Sequence, residues 1–228
     1  MALTFGKRLN GLRKASHFGP TVLVTTISFF FARIYWWEGP AYVIAFGVFL
    51  GQLVVGWSND LIDYEDDLRH HRTKKPLVAG VITQSLLKKS IFLVLPWALA
   101  FNLFGPLGFI GGSLSIFAIG CAVAYNFYFK FTILSPLPYA IAFGALPSCM
   151  ALSKSQPVHL WMWLGGALFG TAAHFINVIK DMDEDHQSGI KGLPQRLGKK
   201  NSILVAVSLI ALALIIIDFE SLQSIKEP

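Results

Sequence analysis

The chain has 228 residues, of which 54% are hydrophobic and only 14% charged, with a net charge of +6. That balance excludes an ordinary soluble domain, and the confinement of the charge to a few short segments points to a helical membrane protein. The positive excess does not call for nucleic acid, because basic residues gathered at helix ends report membrane orientation and anionic headgroups.

In chain order, Lys7, Arg8, Arg13 and Lys14 precede a first apolar stretch. From Thr21 to Trp37 it is long and aromatic and lacks a small-x-small cleavage site, so it reads as a membrane helix and not a signal peptide. Spans of about 17–25 residues can be placed seven times, at about 18–37, 41–60, 88–105, 107–127, 131–152, 160–180 and 201–218. Gly105-Pro106, Pro136, Pro138 and Pro147 interrupt some of them, which membrane helices tolerate when neighbours satisfy the backbone. These runs predict an all-α, polytopic membrane helix bundle of about seven spans, forming one domain over residues 1–228. With the N-terminus inside, 16 Lys and Arg residues fall on the inner side, and only Arg33, Lys154 and Lys226 on the outer. The N-terminus and both long charged loops are therefore expected to be cytoplasmic. Trp36, Trp37, Trp161 and Trp163 fall near outer helix ends, as an aromatic belt would. Cys121 and Cys149 lie in apolar runs and read as small buried thiols, without disulfide or zinc spacing.

The second span runs into Asn59-Asp60-Leu61-Ile62-Asp63-Tyr64-Glu65-Asp66-Asp67. Asn59, Asp63 and Asp67 recur every fourth residue, so on a helix they advance only about 40° per step, with Asp60 at the edge of the same quadrant. Carboxylates in such an array repel one another and raise their own pKa values unless a cation sits among them. The pattern then repeats. Asn59, Asp63, Asp67, Pro76 and Gly80 recur as Asn177, Asp181, Asp185, Pro194 and Gly198, each offset by 118 residues. Both copies begin at the inner end of an even-numbered span, so the repeat is parallel and implies a pseudo-twofold axis near the membrane normal, with the two acidic ends facing across a central cavity.

Magnesium binds one or two carboxylates and keeps waters and substrate phosphates as its other ligands. Two acidic clusters suit a pair of Mg2+ ions holding a diphosphate, with Asn59, Asp60, Asp63, Asp67, Asp181 and Asp185 as candidate metal ligands. Arg72, Lys75, Lys130, Lys191 and Arg196 are the cations placed to share the phosphate charge. A diphosphate head with a long hydrocarbon tail fits a polar mouth opening into apolar helices. His174, one turn deeper than Asn177, reads as a hydrogen-bonded structural histidine. Glu65, Asp66, Asp183 and Glu184 read as surface charge, His70 and His71 as part of a basic loop, and Lys88, Lys89, Lys199 and Lys200 as topogenic charges.

Asn59-Asp60-x-x-Asp63-x-x-x-Asp67, followed by Arg72-Thr73-x-Lys75-Pro76-Leu77-x-x-Gly80, resembles the first motif of the UbiA superfamily of intramembrane prenyltransferases. Asp181-x-x-x-Asp185-x-x-x-Gly189, followed by Leu193-Pro194 and Gly198, resembles its second, and Tyr125 and Lys130 resemble the Tyr and Lys between its fourth and fifth helices. The resemblance covers about residues 10 to 200. It implies a helical bundle with a central cavity, in which a Mg2+-bound prenyl diphosphate ionises to an allylic cation that alkylates a small acceptor, often an aromatic ring of the quinone-precursor type. Asp63, Asp67, Asp181 and Asp185 would be the catalytic carboxylates, and Asn59, Arg72, Lys75, Tyr125, Lys130, Asn177 and Lys191 the substrate-binding residues. The family usually has Arg where Lys75 stands, and usually nine helices where this sequence reads as seven, so the two C-terminal helices are expected to be missing.

Three other classes compete. Repeated bundles with buried carboxylates also occur in cation-coupled transporters, but here the carboxylates cluster at one edge and are followed by phosphate-type cations. An alcohol phosphotransferase should show an Asp-Gly-x-x-Ala-Arg run, which the sequence lacks. A shortened, inactive subunit is the third.

Overall fold

Inside hydrocarbon a backbone must close its hydrogen bonds within each segment, so an apolar chain of this kind is required to be helical. The computed structural model describes residues 4–224, and no strand occurs among the described residues. The α-helices are α1 (Phe5–Ala15), α2 (Phe18–Tyr35), α3 (Glu38–Arg69), α4 (Gln84–Phe104), α5 (Gly108–Phe127), α6 (Leu137–Leu152), α7 (Gly166–Gln187) and α8 (Leu193–Ser224). A 3-10 turn at Phe129–Phe131 precedes α6, and a π-helical turn at Trp161–Gly165 leads into α7. Six of the helices (α2, α3, α4, α5, α7 with its π turn, and α8) are long and apolar enough to cross a membrane.

The differences from the sequence reading have local causes. The expected span 131–152 begins only at Leu137, because Pro136 and Pro138 suit a helix start and not an interior, which leaves α6 apolar but 16 residues long. The expected span 41–60 does not stop at Asp60; α3 continues through the acidic segment to Arg69. The basic flank before the first span is itself a helix, α1, where Arg13 Nε and Nη2 donate to Asn10 Oδ1 at 3.2 and 3.0 Å. The last expected span, 201–218, follows a kink at Gly198 inside α8, where φ is 75°. Lys226 lies outside the described residues.

The chain divides into two compact units, with the boundary between Gly112 and Ser113. In the first, α3 packs against both α2 and α4, and α1 rests on α2 and α3. In the second, α7 packs against both α6 and α8. Lipid tails are as apolar as leucine, so such helices gain by close backbone approach through small residues. α3 accordingly buries Ala41, Ala45, Gly47, Gly51 and Gly56. Phe92, Phe104 and Phe109 are 82%, 86% and 75% exposed, an apolar surface suited to hydrocarbon and not to water.

An apolar cluster of Ala15, Trp57, Leu77, Ile82 and Leu87 lies beside the acidic end of α3. Trp57 Nε1 donates to the Leu12 carbonyl at 2.9 Å, which ties α1 to α3. Leu77 and Ile82 anchor the loop after α3 in that cluster, and this determines where the loop's cations go. In the second unit Ala172, Phe175 and Ala206 form the corresponding buried contact of α7 with α8, with Leu193 and Leu197 packed against it.

Gly56 offers a direct test of this packing. A Cβ there would lie 2.5 Å from the Ser16 carbonyl oxygen, a backbone atom that cannot step aside. Gly56→Ala is expected to cost about 1–3 kcal/mol by overpacking, whereas Gly120→Ala, which meets nothing within 4 Å, should be neutral or better. Thermal unfolding in detergent reads both, and equal midpoints would contradict the contact.

Candidate functional site

Asp60 and Asp67 are two helical turns apart on α3, so they share a face, and each is only 2% exposed. Carboxylates that deeply buried need cations. The chain supplies them by turning back after Arg69. Arg72 N–H bonds the Asp67 carbonyl at 2.9 Å and Lys75 N–H bonds the Arg72 carbonyl at 2.9 Å. With Pro76 and Leu77 buried just beyond, the Lys75 side chain is directed onto α3. Its Nζ lies 2.7 Å from Asp60 Oδ1 and 3.7 Å from Asp67 Oδ2. Arg72 Nη1 donates to Asp67 Oδ1 at 2.7 Å and lies 3.5 Å from Asp66 Oδ2. His17 Nε2 is 3.2 Å from Asp60 Oδ1 and 3.3 Å from the Asn59 amide.

Burial alone would push the Lys75 ammonium down, but Asp60, Asp67 and Asp63 outweigh it and hold the pKa above the usual 10.5. A raised folded pKa means that this stabilisation is complete below the ordinary lysine value and is lost only as alkali passes the raised one. Lys75 is charged across the neutral range. Asp60 and Asp67 are thus the carboxylates that Lys75 pairs with directly, and Asp63 acts on the same ammonium.

A cavity of about 600 Å³ opens beside Asp60, lined by Arg13, Lys14, His17, Phe18, Lys74, Lys75 and Pro76. Arg13, Lys14, Lys74, Lys75 and His17 thus surround a single carboxylate there, a lining whose balance favours an anion. Sequence reasoning treated Arg13 and Lys14 as topology signals and passed over His17. No sequence signal marks it; His17 takes a left-handed φ of 51° at the break between α1 and α2.

The second unit repeats the backbone of the first with the same offset. After α3, the N–H groups of His70, His71 and Arg72 bond the carbonyls of Asp66, Leu68 and Asp67. After α7, those of Ser188, Gly189 and Ile190 bond Glu184, His186 and Asp185, every residue shifted by 118. His71 and Gly189 share the left-handed region, at φ 52° and 69°, as do Gly80 and Gly198 at 67° and 75°. The two acidic segments therefore end in one helix-stop motif used twice.

Side chains differ between the copies. Asp185 Oδ2 accepts from Gln195 Nε2 at 2.7 Å. Asn177 hydrogen-bonds Tyr139, whose hydroxyl also feels Asp181. Tyr125 meets Tyr139 and His174 edge to face, at ring-centroid distances of 5.2 and 5.4 Å. Lys130 is 5% exposed in the 3-10 turn, with Nζ 5.2 Å from the Phe131 ring centre. Lys191 is exposed, and its carbonyl accepts from Arg196 Nε at 2.7 Å. Arg196, expected to serve phosphate, is exposed and spends its Nε on that loop. His174 bonds Ser135, as a structural histidine should. Tyr139 is the residue of this group that the sequence reading missed.

Among the described residues no three His, Cys, Asp or Glu side chains form an all-protein metal cage. Magnesium does not require one. The donor set of the first unit suits a hard cation, since Asp60, Asp63 and Asp67 already act together on one positive charge, the Lys75 ammonium.

Comparison with known proteins agrees with this organisation. A 4-hydroxybenzoate octaprenyltransferase of Citrobacter koseri is 31% identical over 173 residues, covering 74% of this chain and 59% of the relative. The Salmonella paratyphi B protein of the same name is 30% identical over 169 residues, 72% of this chain and 58% of its own. The chain thus spans under two thirds of the length of the curated relatives it matches. A solved structure from work on digeranylgeranylglyceryl phosphate synthase in membranes shares the fold, with a TM-score of 0.71 at 19% identity over 96% of this chain and 79% of that one. The pattern of the UbiA prenyltransferase family matches residues 21–222. With six apolar spans and that match over most of its length, the chain is a multi-pass membrane protein belonging to the UbiA prenyltransferase family.

Proposed function

We propose that this protein transfers a prenyl group from a prenyl diphosphate to a small aromatic acceptor of the quinone-precursor type, within the membrane and with Mg2+. The observation that carries the reading is the gathering of Asp60, Asp63 and Asp67 on one cation, next to a cavity walled by basic side chains. Carboxylates interleaved with cations suit a ligand that itself carries both signs, a magnesium diphosphate. The names of the 30–31% identical relatives support an aromatic acceptor.

In this reading Asn59, Asp60, Asp63 and Asp67 in the first unit, and Asp181 and Asp185 in the second, hold Mg2+. Bound there, the metal offsets the charge that builds on diphosphate. The cations for the phosphate oxygens, which take the electron pair as the C–O bond breaks, would be Arg72 and Lys75 in the first unit and Lys130 and Lys191 in the second. The allylic cation is attacked by a ring carbon of the acceptor, which then loses its proton. Tyr125 and Asn177 line the substrate, and the apolar helices keep water from the cation. Residues 1–228 act as one prenyltransferase domain, with the N-terminus and both acidic segments cytoplasmic, as the 16-to-three basic bias supports. A cysteine placed at Lys74 should then be labelled by an impermeant maleimide from the cytoplasmic face alone, and labelling from the other face would reverse the orientation.

Asp63→Asn and Asp181→Asn are each expected to lower diphosphate release by about 100-fold or more while far-UV circular dichroism stays unchanged. Full turnover in both would end the assignment, and substrate flux into vesicles without diphosphate release would favour a transporter. Lys75→Ala should do two things. It leaves buried Asp60 with His17 alone and takes one of two cations from Asp67, a loss of about 3 kcal/mol, and it raises the donor KM; Lys75→Arg should keep the fold. An unchanged midpoint and KM in the alanine variant would show that Lys75 is a topology charge only.

A further inference from the structure

Among the described residues, two buried side-chain atoms have no hydrogen-bond partner, His174 Nδ1 and Gln195 Oε1. They lie 21 residues apart in sequence, yet each belongs to a hydrogen-bonded pair at the start of α8, one through Ser135 to the Leu193 N–H and the other through Gln195 to Asp185. His174, 0% exposed, bonds through Nε2 to Ser135 Oγ at 3.0 Å. Ser135, 1% exposed, accepts from the Leu193 N–H at 3.0 Å. Leu193 opens α8, and Gln195, two residues on, donates through Nε2 to Asp185 Oδ2 at 2.7 Å. Gly192 completes the contact, since a Cβ there would lie 2.8 Å from Ser135 Oγ and 3.0 Å from the Lys130 carbonyl oxygen.

We infer that His174, Ser135 and Gln195 form a positioning clamp that sets Asp185, the turn carrying Lys130 and the loop carrying Lys191 in register for the diphosphate. The inference rests on the donor reading proposed above. Ser135 joins three segments through one hydroxyl: the turn after Lys130, the interior of α7 and the start of α8. A hydroxyl can accept the Leu193 N–H and still serve the imidazole, as these two partners require. Gln195 is oriented from one side only. Its amide nitrogen is fixed by the Asp185 carboxylate, which admits no flipped amide, so the oxygen is left facing Gly192. A buried polar group left unsatisfied works against folding, and two of them beside the start of α8 mark a place where placement is held at the expense of stability. In the first unit Asp67 is held by Arg72 and Lys75, and at Asp185 an amide from the start of the next helix donates to the carboxylate.

The test measures binding of Mg2+ with inorganic diphosphate to the full chain by calorimetry, alongside the thermal midpoint. Gln195→Met keeps the length of the side chain and removes its bond to Asp185. It is expected to weaken magnesium diphosphate about tenfold, the usual effect of losing a partner behind a metal ligand, with the midpoint unchanged or raised. Ser135→Ala should weaken it in the same sense, and Ser135→Thr, which keeps the hydroxyl, should restore it. Wild-type affinity in both Gln195→Met and Ser135→Ala would overturn the clamp while leaving the donor reading intact. Loss of binding that only follows loss of fold in every variant would overturn it too. A wild-type chain that binds no magnesium diphosphate would overturn the donor reading, and the clamp with it.

Discussion

A carboxylate taken out of water must be given a cation or give up its charge, and the first unit is arranged around that requirement. Asp60 and Asp67 are buried at the end of α3, a helix built mainly to pack α2 and α4. The loop that follows cannot leave freely. It turns at Arg72, buries Pro76, Leu77 and Ile82 against Trp57 and Leu87, and so delivers Lys75 to both carboxylates. Apolar packing places the ammonium, and the ammonium makes the buried acids tolerable. The surplus of basic side chains around the adjoining cavity leaves room for an anion that brings its own cations.

The same backbone ending appears after α7, hydrogen bond for hydrogen bond, with left-handed residues at matching positions. Conserving the stop motif while changing its side chains divides the labour between the halves. The first uses ion pairs to hold Asp67, and the second uses an amide and a hydroxyl-linked histidine to hold Asp185 and its loop.

Much of this was legible in the sequence because it is periodic. Apolar runs of bilayer length gave the helices, and the 118-residue offset gave the two acidic segments and their following Pro and Gly. The start of α6 was misplaced because hydropathy does not see that Pro136 and Pro138 delay a helix. The pairing of Asp60 with Asp67 was underweighted because a four-residue stripe looks more regular than a seven-residue one, although both share a face. His17, Tyr139, Ser135 and Gln195 could not be read at all. Each acts through a partner far away in the chain or across a turn, His17 on Asp60 and Ser135 on His174 for example, and single residues carry no period. The bond from Arg196 Nε to the Lys191 carbonyl is hidden for a related reason: charge in the sequence does not say which neighbours a guanidinium meets.

The central claim is that these carboxylates and cations serve to ionise a prenyl diphosphate. It is tested most directly by incubating the purified chain in lipid with isotope-labelled prenyl diphosphates and a hydroxylated aromatic acid, with and without Mg2+, and identifying the product by mass. A ring-prenylated acid formed with one equivalent of diphosphate, and only when Mg2+ is present, is the predicted result. A donor left intact with every chain length and acceptor, by a protein that remains folded, would contradict the account.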